Sequence, residues 1–441
     1  MRQATVGAFI LILSLPALDQ EKKKGNPFPL DYPPSLPGGK ELVTDQAPDF
    51  LKPPAGLKEG VDIAAAAPTV DFMYYPGQDH AGGPWSVWGD GSAAGDKYYS
   101  AIGDHKHPRG SAMVFEYDAA AKKMRILVDV RKFLESSGAL PAGSDYVPSK
   151  IHSRIDLGSD GWLYYSTHRG SPGTTIDRNG YKGDWILRTH PQSGKTEVVV
   201  AFPLDKHALP MSVLDPERMI FYGGTAPGKD AAIQEVCFFA YDLRNKKMLF
   251  TSGGGPERCT ILSASTGKLY WDGKMYDPAV DYKMGESAAP RVRSATRETP
   301  QGVVYGTSDR SAEIWAFDVK TEKVVSLGSG AVGKQEYITS MDADPTGRYL
   351  YYVAGAHGGT AADGTPVVQF DVRTKKRKVI AFLHPFYAST YGYTLDGTFS
   401  SALDPKGETL YVTWNGMRKG QPKGWESCAF TAIHIPASER P

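Results

Sequence analysis

The sequence has little cysteine and no long hydrophobic run. Its 441 residues include only three cysteines, Cys237, Cys259 and Cys428. Three thiols form at most one disulfide, so a disulfide-stapled fold is excluded and at least one thiol is left free or bound to metal. No segment reaches the run of about 20 apolar residues that a membrane-spanning helix needs. No sustained heptad pattern predicts a coiled coil either.

Neither positive nor negative charge is in excess. The chain has 50 Lys and Arg against 49 Asp and Glu, which gives a formal net charge of +1. A protein without a global positive field is not expected to recruit nucleic acid or an anionic membrane surface. A local basic site is still compatible with this balance.

Two N-terminal zones differ from the rest of the chain. In residues 1–18, Arg2 precedes an apolar run from Val6 to Leu15. That run is the length of a signal-peptide core and too short to span a bilayer. We therefore predict a signal peptide and export, with a retained anchor as the alternative and no membrane span in the mature chain. Residues 19–69 are rich in Pro, Gly and Lys and lack periodicity, which predicts an exposed linker that becomes ordered only towards residue 60.

Glycine, proline and tyrosine, in contrast, are plentiful, with 48, 32 and 24 copies. Two short patterns alternate from about residue 70 onwards. One is a turn residue followed by an aromatic strand, as in residues 161–165 (GWLYY), and the other is a strand that ends in Asp and then a basic residue, as in 370–373 (FDVR). The aspartate suits a turn because its side chain accepts hydrogen bonds from backbone amides further on. The second pattern has seven copies, four of them close matches and three weaker, between Asp118 and His434.

Seven copies at this spacing give a repeat of roughly 50 residues, the length of one propeller blade. We predict an all-β, seven-bladed β-propeller over residues 70–441, with four antiparallel strands in each blade. Closure of the ring removes exposed sheet edges, and residues 60–72 are candidates for a missing strand of the last blade. Two stacked β-sandwiches are the alternative, although the uniform repeat length argues against them.

This geometry places six histidines on one face, because the loop that enters a first strand and the loop that leaves a second strand open on the same side. They are His105, His152, His168, His207, His357 and His384. Loops held by a rigid scaffold commonly carry binding and catalytic groups. We therefore expect the functional site on this face.

The hairpin over residues 150–170 (KIHSRIDLGSDGWLYYSTHRG) is the strongest candidate for that site. Period-two alternation puts His152 and Arg154 on one wet face, and the return strand brings back His168. A guanidinium beside two imidazoles suits a substrate carboxylate and would lower the histidine pKa values. Proton abstraction next to a carboxylate needs a cation, a base and an acid. Tyr222, which Gly223 and Gly224 would leave open to solvent, is the candidate for base or acid.

Further residues near the same rim complete the predicted site. We expect His105, Arg169 and Arg310 to contact the substrate. His357, His384 and Cys428 form a set of two imidazoles and a thiolate that suits structural zinc, although their spacing is not a diagnostic zinc motif. The alternative is a buried free thiol near two loop histidines. No organic cofactor is expected.

Four segments, residues 103–118, 150–170, 384–416 and 428–436, resemble the propeller polysaccharide lyases that cleave ulvan and their bacterial relatives. The resemblance runs over most of residues 90–440. It implies seven blades, β-elimination beside a uronic acid, a histidine pair at His152 and His168, a catalytic Tyr222 and a structural zinc. It also implies an arginine near Cys237, where this chain has none, so either Arg154 substitutes for it or lyase activity is lost.

Three functions follow as hypotheses. The first is a secreted or periplasmic bacterial lyase that acts on an anionic, uronate-containing polysaccharide. The second is a non-catalytic propeller that binds a glycan or a protein. The third, a metal-dependent hydrolase, would need a cluster of acidic and amide ligands in the channel, and Asp156 and Asn415 are too few.

Overall fold

The computed structural model describes residues 30–106, 110–280, 283–421 and 424–440. Within these ranges seven β-sheets follow one another along the chain, each with a core of antiparallel strands. Each sheet is one blade, so the protein is a seven-bladed β-propeller, as predicted. The predicted signal peptide, residues 1–18, lies outside the described residues.

The strands of each blade are given from inner to outer. The strands of blade one are Trp85–Ser86, Ser92–Ala94, Lys97–Asp104, Ala112–Asp118 and Lys123–Asp129. Those of blade two are Asp156–Leu157, Leu163–Ser166, Trp185–Thr189 and Thr196–Ala201. Those of blade three are His207–Asp215, Ile220–Pro227, Cys237–Asp242 and Lys247–Gly253. Those of blade four are Ile261–Leu262, Leu269–Trp271, Lys274–Asp277 and Lys283–Glu286.

Two of the last three blades carry additional strands from the N-terminal segment. The strands of blade five are Ser294–Ala295, Val303–Thr307, Glu313–Asp318 and Lys323–Ser329. Those of blade six are Ile338–Ala343, Tyr349–Ala354, Pro366–Asp371, Arg377–Phe382 and Val61–Ile63. Those of blade seven are Tyr393–Leu403, Thr409–Arg418, Ser427–His434, Thr69–Tyr74 and Val43–Asp45. It is therefore blades six and seven that receive these strands.

Helices are few and short in the described ranges. The α-helices are Val130–Ser136 and Phe386–Thr390, and the 3-10 helices are Pro37–Gly39, Pro48–Leu51, Pro172–Thr174, Asp177–Asn179, Thr360–Asp363 and Ala437–Glu439. None of the helices in the described ranges is long and apolar enough to cross a membrane.

The aspartate turns form as the sequence predicts. Asp242 Oδ1 accepts hydrogen bonds from the amides of Arg244 and Asn245, both at 2.9 Å. Asp318 accepts from Lys320 N at 3.0 Å in the same way. The side chain satisfies amides that the tight turn leaves without a strand partner. These turns close the hairpins between the third and outer strands of blades three and five.

Aromatic residues of the second strands pack between neighbouring blades. Tyr98 of blade one stacks on Tyr411 and Phe430 of blade seven, with ring centroids 5.3 and 5.7 Å apart. Its buried hydroxyl bonds with Ser400 Oγ at 2.8 Å and Thr413 Oγ1 at 2.9 Å. The polar end of the ring is thus satisfied while its faces supply the inter-blade packing.

The ring closes between the two ends of the chain. Thr69–Tyr74 pairs antiparallel with Ser427–His434, the third strand of blade seven. An N-terminal strand therefore completes the last blade, as predicted, although the strand begins at residue 69. Val61–Ile63 runs parallel to the outer strand of blade six instead.

The prediction that residues 30–60 form an exposed linker without order is wrong. Leu36, Val43 and Phe50 are buried in one core cluster with blades six and seven. Phe50 is 0 % exposed, and its ring centroid lies 4.9 Å from that of Phe386. These three buried residues are isolated in a Pro- and Gly-rich stretch. They therefore create no hydrophobic periodicity from which their burial could be predicted.

We expect Phe50→Ala to destabilise the propeller by about 3–5 kcal/mol, the usual cost of truncating a buried Phe. The midpoint and slope of urea unfolding measure this change. Asp49→Ala, at an exposed position in the same turn, is the matched control and should shift the free energy of unfolding by about 0.5 kcal/mol or less. An equal, small effect of both substitutions would contradict the packing role of this segment.

Candidate functional site

The hairpin that begins at Lys150 positions the site. Lys150 and His168 exchange two backbone hydrogen bonds, from Lys150 N at 3.2 Å and from His168 N at 2.9 Å. The predicted first strand is reduced to Asp156–Leu157, because residues 151–155 also bond outside the hairpin. Ile155 N, for example, donates to Asp90 O at 3.3 Å. The two ends of the hairpin still meet at one rim.

His152 and His168 lie side by side, so their predicted proximity is confirmed. Their ring centroids are 5.4 Å apart and the ring planes meet at 71°. His152 Nδ1 lies 3.0 Å from Pro210 O. A carbonyl oxygen only accepts, so Nδ1 carries the proton and Nε2 keeps its lone pair. That Nε2 is 3.5 Å from Arg258 Nη1.

Both imidazoles are held in the neutral form. Burial lowers the pKa of His152 well below its ordinary value, and the nearby Arg258 and Lys150 charges lower it further. Burial likewise lowers the pKa of His168, with added contributions from His152 and Lys150. His168 Nδ1 is buried without a hydrogen-bond partner in the described part of the chain. A neutral imidazole with a free lone pair can act as a base or accept a hydrogen bond.

Cationic side chains surround this pair. Lys150, Arg169 and Arg258 line the same pocket as the two histidines, which has a volume of about 280 Å³. Arg169 Nη1 donates to Pro227 O at 2.6 Å. The pocket also contains Glu257, but its carboxylate is 2.8 Å from Arg291 Nη2. The balance of charge in the pocket is therefore positive, which favours an anionic ligand.

Trp88 forms the floor beside these groups. Its ring stacks on His105 at 4.7 Å and on Phe399 at 4.9 Å, and Lys150 Nζ is 4.1 Å from the ring centroid. His105, a predicted substrate contact, is thus packed against Trp88, and burial lowers the pKa of His105 to about 3. We therefore expect His105 to support the floor as a neutral side chain.

Arg154 lies in the channel, on the face that the sequence predicts, but carboxylates surround it there. Its Nε lies 3.3 Å from Asp156 Oδ1, and Arg297 Nη2 is 3.5 Å from the same oxygen. Burial raises the pKa of Asp90 to about 6 and, together with the Asp90 charge, that of Asp342 to about 7, while Arg154 lowers both. Arg154 therefore neutralises carboxylates inside the channel and is not free to hold a substrate carboxylate at the mouth.

Tyr222 does not reach the pocket. It is 0 % exposed, and its ring packs between blades three and four, 6.2 Å from Phe238 and 5.8 Å from Tyr276. Burial raises the pKa of its hydroxyl far above the ordinary value. The role of base or acid predicted for Tyr222 is therefore wrong.

The glycines after Tyr222 serve packing and do not open its surroundings. A Cβ on Gly223 would lie 2.2 Å from carbons of the Phe239 ring, and one on Gly224 would lie 2.0 Å from Pro256 O. No side chain fits at either position without displacing its neighbour. The sequence Gly-Gly therefore marks a close approach of the backbone to adjacent residues.

The predicted zinc ligands do not form a metal site. His357 packs against Tyr337 with ring centroids 5.1 Å apart. Cys428 is fully buried, and its Sγ is 3.9 Å from Asn415 Oδ1, whereas His384 Nδ1 is buried without a partner in the described ranges. Among the residues that the structure describes, no three His, Cys, Asp or Glu side chains are arranged to hold a metal ion. These residues therefore do not fit zinc.

Two other rim residues also lie apart from the pocket. His207, one of the six predicted rim histidines, bonds to Thr225 Oγ1 at 2.8 Å and to Ile233 O at 3.0 Å. Both ring nitrogens are satisfied, so His207 holds its loop. Arg310 is exposed in a turn with a φ of 51° and does not line the pocket.

Four residues of the site were not predicted from the sequence. They are Trp88, Lys150 and Arg258, which line the pocket, and Arg293, whose charge also lowers the pKa of His152. Arg258 and Arg293 immediately precede the first strands of blades four and five, which begin at Ile261 and Ser294. The rule that assigned histidines to this face applies equally to these loops. It would have identified both arginines had it been used for basic residues as well.

Comparison with known proteins adds little to this picture. No family model matches the chain, and no curated protein matches it. Among solved structures, a chain of the "Crystal Structure of Mitotic Checkpoint Complex" is similar at 9 % identity with a TM-score of 0.46. The alignment covers 98 % of this chain and 99 % of that chain. A likeness this weak carries no argument about function.

Proposed function

We propose that this protein is an exported polysaccharide lyase that cleaves a uronate-containing glycan by β-elimination in the pocket at the propeller mouth. The observation that carries the proposal is the contact between two neutral imidazoles, His152 and His168, next to Arg258. A cation and a neutral base in one open pocket are what proton removal beside a carboxylate requires.

Arg258 is suited to hold the substrate carboxylate. It lines the pocket, and its side chain is exposed to the solvent that a ligand would displace. A guanidinium can bind both carboxylate oxygens at once, which orients the sugar and stabilises the negative charge that develops on the carboxylate during proton removal. Arg258 therefore takes the role that the sequence assigned to Arg154.

His152 is suited to remove the proton. Its Nε2 lone pair faces Arg258, so the carbon next to a carboxylate held by Arg258 would lie near that nitrogen. An anionic ligand also offsets the positive charges that lower the pKa of His152, which makes the imidazole a better base once substrate is bound. A neutral His168 adds no charge repulsion when His152 takes up the proton.

A non-catalytic glycan-binding propeller is the second candidate, and the position of Tyr222 favours it. With Tyr222 in the core, the proton donor predicted from the sequence is absent from the pocket. The same positive mouth could then bind an anionic glycan without cleaving it. The two candidates differ in whether an unsaturated product forms.

The test is incubation of the protein with ulvan and with other polyuronates while the ultraviolet absorbance of unsaturated uronate is followed. We expect the absorbance to rise with at least one polymer. Binding is measured in parallel by titration calorimetry with the same polymers. Binding without product would replace the lyase by the binding propeller, and the absence of both would overturn both candidates.

A further inference from the structure

β-Elimination needs a second proton transfer in addition to the proton removal proposed for His152. When the bond to the leaving oxygen breaks, that oxygen must gain a proton to depart as a hydroxyl group. Tyr222 cannot supply it from the inter-blade core. A polar residue that lines the pocket is therefore the candidate donor.

Among the residues that the structure describes, Lys150 is a buried cationic group of this pocket with no carboxylate counter-ion. Its side chain is 8 % exposed, and its Nζ lies 4.1 Å from the centre of the Trp88 ring. The charges that act on it, from Arg258, Arg169 and Lys106, are all positive. Its backbone is tied to that of His168 by two hydrogen bonds. The ammonium is thus held close to the histidine pair, and no carboxylate in the described part of the chain is paired with it.

We propose that Lys150 is the acid that protonates the leaving glycosidic oxygen, an inference that rests on the proposed lyase function. His152 Nε2 takes the proton from the carbon next to the carboxylate, and the electrons of that bond form the new carbon–carbon double bond. The bond to the leaving oxygen breaks, and this oxygen takes a proton from Lys150 Nζ. Water then returns a proton to Lys150 and removes one from His152, so no other reactant is consumed.

The surroundings of Lys150 suit a group that both loses and regains a proton. Burial, followed by the Arg258, Arg169 and Lys106 charges, lowers the pKa of Lys150 to about 7. In the described part of the chain, the other titratable groups near Lys150 are His105, His152 and His168, which are neutral, and Glu257, which is paired with Arg291. Near neutral pH, the ammonium and amine forms of Lys150 are therefore both populated.

Lys150→Arg separates proton donation from simple charge, because arginine keeps the cation but does not release a proton. Two substrates are compared: the polyuronate that the wild type cleaves, and an analogue of its uronate with fluoride as the leaving group. Fluoride departs without a proton. We expect kcat on the polymer to fall about a hundredfold, within the range for loss of a general acid, while KM and the rate of fluoride release stay close to those of the wild type. Lys182→Arg, at an exposed position of the same blade, is the control.

The results with the two substrates either support or overturn the acid role of Lys150. Unchanged cleavage of the polymer by Lys150→Arg, or an equal loss of fluoride release, would overturn the acid role while leaving the lyase intact. A wild type that cleaves no polyuronate removes the lyase proposal and this inference together. If the arginine variant does not fold, competitive acetylation of the wild type followed by peptide mass spectrometry gives the titration midpoint of Lys150. We expect it near pH 7, and a midpoint at about 10.4, the ordinary lysine value, would overturn the inference.

Discussion

Replacing His152 with glutamine is expected to lower kcat/KM for polyuronate cleavage by about 100- to 10,000-fold, the range for loss of a general base. The carbonyl of Pro210 fixes the proton on Nδ1 and leaves the lone pair on Nε2, 3.5 Å from Arg258 Nη1. Glutamine is of similar size but offers no basic nitrogen. Initial rates of product absorbance at several substrate concentrations measure the effect.

The pH profile of the wild type provides a second measurement of the same assignment. A base works only while it is unprotonated, so activity is lost as the pH falls through its pKa. Because burial and nearby cations lower the pKa of His152, the acid limb of kcat/KM should lie below about pH 6.5, the value for an ordinary histidine.

The control for this substitution is His190→Gln. His190 belongs to a turn of blade two outside the pocket, where its Nδ1 contacts Ser193 Oγ at 3.2 Å. We expect this variant to keep wild-type activity. Equal activity of His152→Gln and the wild type would place the base elsewhere, and the pocket would then be a binding site alone.

The fold could be predicted because its signals are local. Each aspartate turn and each aromatic strand depends on fewer than ten neighbouring residues, and their regular recurrence gives the blade count. The pairing of His152 with His168 was predictable for the same reason, since one hairpin contains both. Local signals of this kind can be recognised in the sequence without knowledge of the rest of the molecule.

The wrong predictions all required knowledge of distant partners. Gly223 and Gly224 are compatible with either an open loop or a tight contact, and only the positions of Phe239 and Pro256 decide between them. Strand alternation could not show where Cys428 points, because both faces of its strand are buried. Arg154 lies on the predicted wet face, but its carboxylate neighbours Asp90 and Asp342 come from blades one and six.

Arg154→Met is expected to destabilise the protein by about 3–5 kcal/mol at pH 8, the usual result of removing one partner of a buried ionic group. The substitution removes one of the two guanidinium groups that act on Asp156 and Asp342 and leaves only Arg297 beside them, and it also removes the charge that Arg154 supplies to Asp90. Ser340 Oγ, 2.7 Å from Asp90 Oδ1, is a remaining donor, but a hydroxyl does not replace a charge. Urea unfolding at fixed pH measures the loss.

The destabilisation caused by Arg154→Met should become smaller as the pH falls, because the carboxylates around Arg154 become protonated. The pKa values of Asp90 and Asp342 are raised to about 6 and about 7 in the folded protein, whereas an unfolded aspartate titrates near 3.9. Folding therefore favours their protonated forms. The resulting stability is fully present below about pH 4 and is lost as the pH rises through 6 and 7. Without Arg154 both pKa values rise further, so at pH 5 the two carboxyls are neutral and their lost partner matters less.

Two comparisons separate this explanation from a simple packing defect. Arg291→Met removes an ion pair in which both side chains are 54 % exposed, and it should cost about 1 kcal/mol or less at either pH. Adding Asp342→Asn to Arg154→Met should restore part of the stability at pH 8, because one uncompensated charge is removed. A loss that is equal at pH 5 and pH 8 and does not respond to Asp342→Asn would mean that Arg154 acts by filling space. Its guanidinium would then not be committed to these carboxylates, and Arg154 would again compete with Arg258 for the substrate carboxylate.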